Sequence, residues 1–156
     1  MGKRIVSQRR GRGSSRYRAP SHNYKYRVSY PETKELMKGK VIDIINDNAR
    51  SAPLALVKFD NNKIINMPAP LGIKIGQEVN FNANNHEQQG NMMELENIPE
   101  GTLIYNIENI PGANRGVFCR AAGTFARIIS KTKDYVLIEL PSKKQKRFDP
   151  KCKATI

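Results

Sequence analysis

Tryptophan is absent from this sequence, and cysteine, histidine and acidic residues are scarce: two, two and 14 of 156. Each shortage excludes something. Cys119 and Cys152 lie far apart with no paired spacing, so they predict neither a disulfide framework nor a metal finger, but reduced thiols in a cytosolic protein. His22 and His86 stand apart from each other and from both cysteines, which leaves no four-donor zinc set; no metal and no cofactor is expected. No apolar run approaches the length that spans a bilayer, and the N-terminus is charged where a secretion signal needs an apolar segment. There is no Gly-rich loop ending in Lys-Ser/Thr, no serine in a nucleophile elbow, and no base beside Cys119. Catalysis and a small-molecule substrate are therefore not expected.

What is present is positive charge. Lys and Arg number 27 against the 14 acids, giving a net +13 and a pI near 10.0. Such a surface is committed to polyanions. A membrane partner would call for an amphipathic helix with a clean apolar face, and none is evident; nucleic acid remains. The charge is also segregated. Residues 1–31 hold nine basic side chains and no acid, residues 32–98 hold seven basic and nine acidic, and residues 99–156 hold eleven basic and five acidic.

Residues 1–35 are expected to form a basic, extended RNA-binding arm. The segment has few aliphatic residues to close a core, and Gly11, Gly13, Ser14, Ser15, Pro20 and Pro31 interrupt regular structure. Alone it should be disordered and fold on RNA. Tyr17, Tyr24, Tyr26 and Tyr30 alternate with its cations, which combines phosphate contacts with stacking surfaces.

The rest of the sequence predicts an all-β protein. Strand-length runs at 39–45, 53–60 and 63–67, a tight turn at Asn61-Asn62 and an alternating segment at 78–82 suggest a five-stranded OB-type barrel over 36–98. After the punctuation Asn97-Ile98-Pro99-Glu100-Gly101, runs at 101–108, 123–130, 134–140 and 144–149 suggest an SH3-like barrel over 99–156. Val41, Ile44, Leu56, Val57, Phe59, Ile128, Val136 and Ile138 are the expected core. No long helix and no internal repeat is expected.

Five stretches carry a more specific signal: the opening GKRIVSQRRGRGSSRYRAPSH, Arg50 to Ala55 (RSAPLA), Asn97 to Thr102 (NIPEGT), Arg120 to Thr124 (RAAGT) and the closing DPKCKAT. In this order they resemble the universal large-subunit ribosomal protein two family, in its archaeal or eukaryotic-cytoplasmic form, over essentially the whole sequence. The resemblance implies an OB-fold followed by an SH3-like barrel, both pressed on large-subunit rRNA. It also implies contacts with neighbouring large-subunit ribosomal proteins and a cytoplasmic, non-enzymatic role in assembly and translation. The family continues past CKAT into a Gly- and His-containing basic extension that these 156 residues do not contain, so nothing of that extension's role carries over. Ala49 stands where Gly is usual, Val117 where a basic residue is usual, and Lys143 where the hairpin normally has Gly.

Charge and resemblance together nominate the RNA contacts. In the arm they are Lys3, Arg4, Arg9, Arg10, Arg12, Arg16, Arg18, Lys25 and Arg27, with arginine favoured because its planar fork grips phosphate and stacks on bases. Arg50, Arg115 and Arg120 lie in loops, Arg120 beside small residues that admit an RNA backbone. Lys143, Lys144, Lys146 and Arg147 form a basic hairpin, which Lys151 and Lys153 extend. A free OB-type binder in RNA metabolism is the alternative, but such a module needs aromatics on its barrel strands, and here they concentrate in the arm.

Overall fold

A computed structural model of the chain describes residues 2–18, 23–33, 35–82 and 88–156. His22 and His86 lie outside the described residues.

β1 (Met37–Ile45), β2 (Leu54–Phe59) and β3 (Ile64–Pro68) form an antiparallel meander in which Val41 faces Val57 and Val57 faces Ile65 across the ladders. The β2–β3 connection is a three-residue loop and not the two-residue turn expected at Asn61-Asn62. Phe59 and Lys63 close the ladder, and Asn62 takes the left-handed conformation (φ 61°) that a turn followed by a bulge requires. β4 (Glu78–Phe81) pairs antiparallel with β1, and β5 (Met92–Glu94) runs parallel to β4. The last strand, β12 (Lys153–Thr155), joins this same sheet beside β5, giving the order β12-β5-β4-β1-β2-β3. The sheet curls as the OB-fold barrel.

The SH3-like barrel is built from a four-stranded sheet, β11-β10-β9-β6, and a hairpin. Its strands are β6 (Leu103–Ile104), β9 (Ala126–Lys131), β10 (Val136–Glu139) and β11 (Gln145–Phe148), with β7 (Ile107–Glu108) and β8 (Gly116–Phe118) forming the hairpin. The run at 101–108 is therefore two strands. Asn106 breaks it with φ 53°, a conformation its short side chain tolerates, so Ile104 pairs toward β9 and Ile107 toward β8.

Two cores result, and they share a wall. On β5, Met92 points into the first core with Val41, Val57, Phe59, Val79 and Phe81, whereas Met93 points into the second with Ile104, Ile107, Ile128, Ile138 and Phe148. β12 obeys the same two-residue period: Ala154 packs on the second core, while Lys153 and Thr155 face the side of Phe81 and Tyr30. Of the expected core residues, Ile44 and Leu56 are only half-buried; the others are buried.

The arm also departs from expectation. Residues 2–18 are largely exposed and carry a short helix α1 (Val6–Gly11), but Val28 and Tyr30 are core residues at 2% exposure. Val28 bridges to Asn66 on the edge of β3. The Tyr30 hydroxyl donates to the Asn106 carbonyl (2.6 Å), so the Thr155 hydroxyl donates to it in turn (2.8 Å). Tyr30 is thus an anchor and not a stacking surface for RNA.

Gly39 shows how tightly β1 crosses the first core. A Cβ there would lie 2.7 Å from Val57 Cγ1 and 2.9 Å from the Phe59 ring. Gly39→Ala should lower unfolding stability by about 1–3 kcal/mol through overpacking, measured by urea denaturation; an unchanged midpoint would contradict this packing.

Candidate nucleic-acid interface

The docked end of the arm, the loop after β1, the β7–β8 connection and the loop after β8 meet around a cleft of about 890 Å³. Lys25, Arg27, Arg50, Arg115 and Arg120 all line it, and among the described residues no acid does. Tyr24, Tyr26, Val28, Ala49, Ser51 and Ala121 complete its walls.

Local sequence explains how the cleft is held. Asp47 is fully buried at the turn after β1. Its Oδ1 accepts the backbone N–H of Lys25 (3.3 Å) and of Ala49 (3.4 Å), and its Oδ2 accepts Arg50 Nε (2.9 Å). One carboxylate therefore ties the arm to the loop and aims Arg50. The rest of the Arg50 guanidinium donates to the Tyr26 carbonyl (3.1 Å) and lies over the Tyr24 ring, 4.9 Å from its centroid. Across the cleft, Ser51 Oγ accepts the Ala122 N–H (3.0 Å), linking the two loops. Burial alone would raise the Asp47 pKa, but the N–H groups of Lys25 and Ala49 and the Arg50 cation outweigh it and hold the carboxyl below its ordinary 3.8.

A depressed carboxylate pKa contributes stability that is fully present above the ordinary value and is lost as pH falls through the lowered one. Acidification below pH ~3.8 should therefore release the arm at Lys25 before the cores melt. Amide exchange at Lys25 and Ala49, followed against pH, checks this; protection that persists in Asp47→Asn would contradict it.

Arg120 is the unusual member. It is half-buried, and its Nε has no hydrogen-bond partner among the described residues although the atom is shielded from solvent. Burial, and then the charges of Arg50 and Arg115, make its cationic form less favourable than usual. Cations crowded this way gain from an anion between them.

The other expected contacts are distributed as follows. Lys3, Arg4, Arg9, Arg10, Arg12, Arg16 and Arg18 are exposed along the arm. Lys143 and Lys144 stand exposed at the tip of the β10–β11 hairpin, where Lys143 holds φ 62° in place of the glycine such a loop favours. Lys146 lies over Phe118 (4.2 Å) and Phe148 (5.1 Å) and donates to Asn109 Oδ1 (3.0 Å), so its charge is partly engaged. Arg147 is exposed and stacks on Tyr135 (4.7 Å); Lys151 is exposed. Lys153 is the exception. It is 5% exposed, and its ammonium donates to the Pro31 carbonyl (2.8 Å) and Asn114 Oδ1 (2.7 Å), so alternation along β12 puts it inside and not on the basic surface.

The sequence did not single out Asp47, whereas Ser51 and Ala121 entered only as members of the RSAPLA and RAAGT stretches. Only the three-residue spacing of Asp47 and Arg50 hinted at the first.

Among the described residues no helix is long and apolar enough to cross a membrane, and no cluster of three or more His, Cys, Asp or Glu could hold a metal. Both cysteines are free, and burial pushes the Cys119 thiol up to about 11 and the Cys152 thiol up to about 12, which leaves them unreactive near neutrality.

Two small barrels with a shared wall, fronted by a cation-lined cleft and an arginine-rich arm, define a double-barrel protein of the polyanion-binding class. Comparison with known proteins makes this specific. Residues 3–99 match the model of the ribosomal proteins L2 RNA-binding N-terminal domain, and residues 88–156 match that of the ribosomal proteins L2 C-terminal domain. The chain belongs to the ribosomal protein L2 family. Among curated relatives, the large ribosomal subunit protein uL2 of Methanothermobacter thermautotrophicus is 44% identical over 161 residues, covering 100% of this chain and 66% of its own length. The uL2 of Haloquadratum walsbyi is 44% identical over 158 residues (100% and 65%), and that of Archaeoglobus fulgidus 46% over 157 (100% and 66%). The chain thus spans just under two thirds of the length of the first of these relatives.

Proposed function

We propose that the chain is a non-enzymatic structural constituent of the large ribosomal subunit. It binds large-subunit rRNA, contacts neighbouring large-subunit proteins and supports assembly and translation in the cytoplasm. The observation that carries this reading is the cleft of five cations with no lining acid among the described residues, set between the arm and both barrels. In this reading residues 1–35 are the RNA-binding arm, 36–98 the OB-fold unit and 99–156 the SH3-like unit. The split of the apolar side chains into two cores supports that division, although Val28 and Tyr30 anchor the end of the arm and β12 belongs to the first sheet.

RNA affinity divides into two parts. Exposed Arg9, Arg10, Arg12, Arg16 and Arg18, with Lys143, Lys144 and Lys151 at the other end, neutralise phosphates and release counterions. The half-buried Arg50 and Arg120, with the exposed Arg115 beside them, read shape, because RNA must fit between the loops to reach all three.

Replacing Arg9, Arg10 and Arg12 by Ala should weaken binding to cognate and unrelated rRNA fragments alike, and should reduce the slope of log affinity against log salt by about 2–3. Filter binding across a salt series measures both, and an unchanged slope would make the arm a spectator. If the full chain shows no salt-dependent binding to any rRNA fragment, the ribosomal reading falls.

A further inference from the structure

The cleft holds more than a phosphate site requires. Counterion exchange with a duplex backbone needs only exposed cations on long stems, yet here an aromatic side chain is held ready beside recessed ones. Arg50 covers one face of Tyr24 at 4.9 Å, fixed there by Asp47 and the Tyr26 carbonyl, while the Tyr24 ring remains 59% exposed, which leaves its other face open. Arg120, on the opposite loop, presents a guanidinium whose Nε is shielded from solvent and lacks an acceptor among the described residues. Arg120 nevertheless lines the cleft, so the part of its guanidinium that faces the opening can donate a charge-assisted hydrogen bond to an anion that enters. The small side chain of Ala121 beside it leaves room for that anion.

A base pressed between aromatic and arginine planes is not available in a continuous duplex, where it is stacked on its neighbours. A ring with one face closed by a cation and one open suits an unstacked base. The distribution of charge agrees: the Asp47 carboxylate is committed to Arg50, and Arg115 and Arg120 both line the cleft.

We propose that this cleft clamps a single unstacked nucleotide, with its base on the open face of Tyr24 and its phosphate on Arg120 and Arg115. Arg50 is a positioning residue, since it acts by stiffening Tyr24. The inference rests on the RNA-binding reading and narrows it: the cleft selects a bulged or looped-out residue, while the arm supplies affinity without selection.

The test uses the full chain with three small probes: adenosine 5′-monophosphate, ribose 5-phosphate and adenosine. The readouts are the Arg120 Nε–H resonance and the Tyr24 ring resonances. Adenosine 5′-monophosphate should shift both sets, ribose 5-phosphate only the Arg120 signal, and adenosine only the Tyr24 ring. Tyr24→Leu, at an exposed position, should weaken adenosine monophosphate binding at least about fivefold, the low end for one stacked base, and leave ribose 5-phosphate unaffected. Arg120→Lys, which keeps the charge and removes the fork, should weaken both phosphorylated probes. Equal binding of the monophosphate and ribose 5-phosphate with an unmoved Tyr24 would reduce the cleft to an anion site and overturn the proposal, as would an Arg120 signal that responds to no probe. The two readings fail separately. Salt-dependent rRNA binding without probe shifts removes the clamp alone, and probe shifts without rRNA binding remove the ribosomal assignment alone.

Discussion

Lys153→Ala should lower the unfolding midpoint by roughly 10 °C, because the groups around a buried charge lose it, at a cost of about 3–5 kcal/mol in a domain of this size. The Lys153 ammonium holds the Pro31 carbonyl and Asn114 Oδ1 and lies 5.2 Å from the Phe81 ring centroid, while its backbone N–H donates to Glu108 Oε2 at 2.9 Å. Three parts of the chain that are distant in sequence are thereby tied at the wall between the cores: the end of the arm, the β7–β8 hairpin and the final strand. Removing the ammonium leaves two acceptors unsatisfied and Glu108 buried without the neighbouring cation.

The pH dependence of that variant gives an independent check. Burial raises the Glu108 pKa in the folded protein, opposed by the N–H and charge of Lys153. For a carboxyl raised on folding, the contribution is present below the unfolded pKa and is lost as pH rises through the folded one. Lys153→Ala strengthens the raising effect, so its stability deficit should shrink on acidification, and adding Glu108→Gln should recover part of the loss at neutral pH. Chemical denaturation of the two single variants and the double completes the cycle. A loss below about 1 kcal/mol for Lys153→Ala, as a surface lysine would give, would contradict the interior role.

The second large effect is on RNA. Replacing Arg115 and Arg120 together by Ala should reduce affinity for a cognate rRNA fragment by at least about 100-fold while lowering binding to unrelated RNA far less, because charge-assisted contacts in a fitted site contribute about 1.5–3 kcal/mol each. Arg50 is left in place, since its removal would strip the buried Asp47 of its cation. Competition binding of the folded variant with cognate and unrelated RNA measures the ratio. An equal loss on both would mean that these arginines act only as bulk charge.

The alternation of apolar and polar residues, with turn chemistry at Asn61-Asn62 and Asn97–Gly101, made the all-β class and most long strands legible in the sequence. The two-residue β6 and β7 and the three-residue β5, β8 and β12 were not, because runs that short carry no period; they pair only because the long strands set out their ladders. Lys153 illustrates the limit. Its composition places it with Lys151 as one more surface cation, and only the pairing of β12 with β5 turns it inward. Tyr30 is similar: among the tyrosines of the arm nothing local distinguishes it, yet Asn106 and Thr155 await its hydroxyl in the interior. The candidate site was legible as charge and as the Arg50 and Arg120 motifs. Its assembly depends on contacts between Lys25, Asp47, Ser51 and Ala122 that span most of the chain and leave no local pattern.

The most direct test of the central claim is stoichiometry in the particle. A tagged copy of the chain is expressed in cells of its source, large subunits are purified through a high-salt wash, and the chain is quantified against the other subunit proteins. One copy should be retained per large subunit, with retention falling in the Arg115→Ala/Arg120→Ala variant; a chain that washes into the soluble fraction, or that sediments with other RNA and not with the large subunit, would overturn the ribosomal assignment.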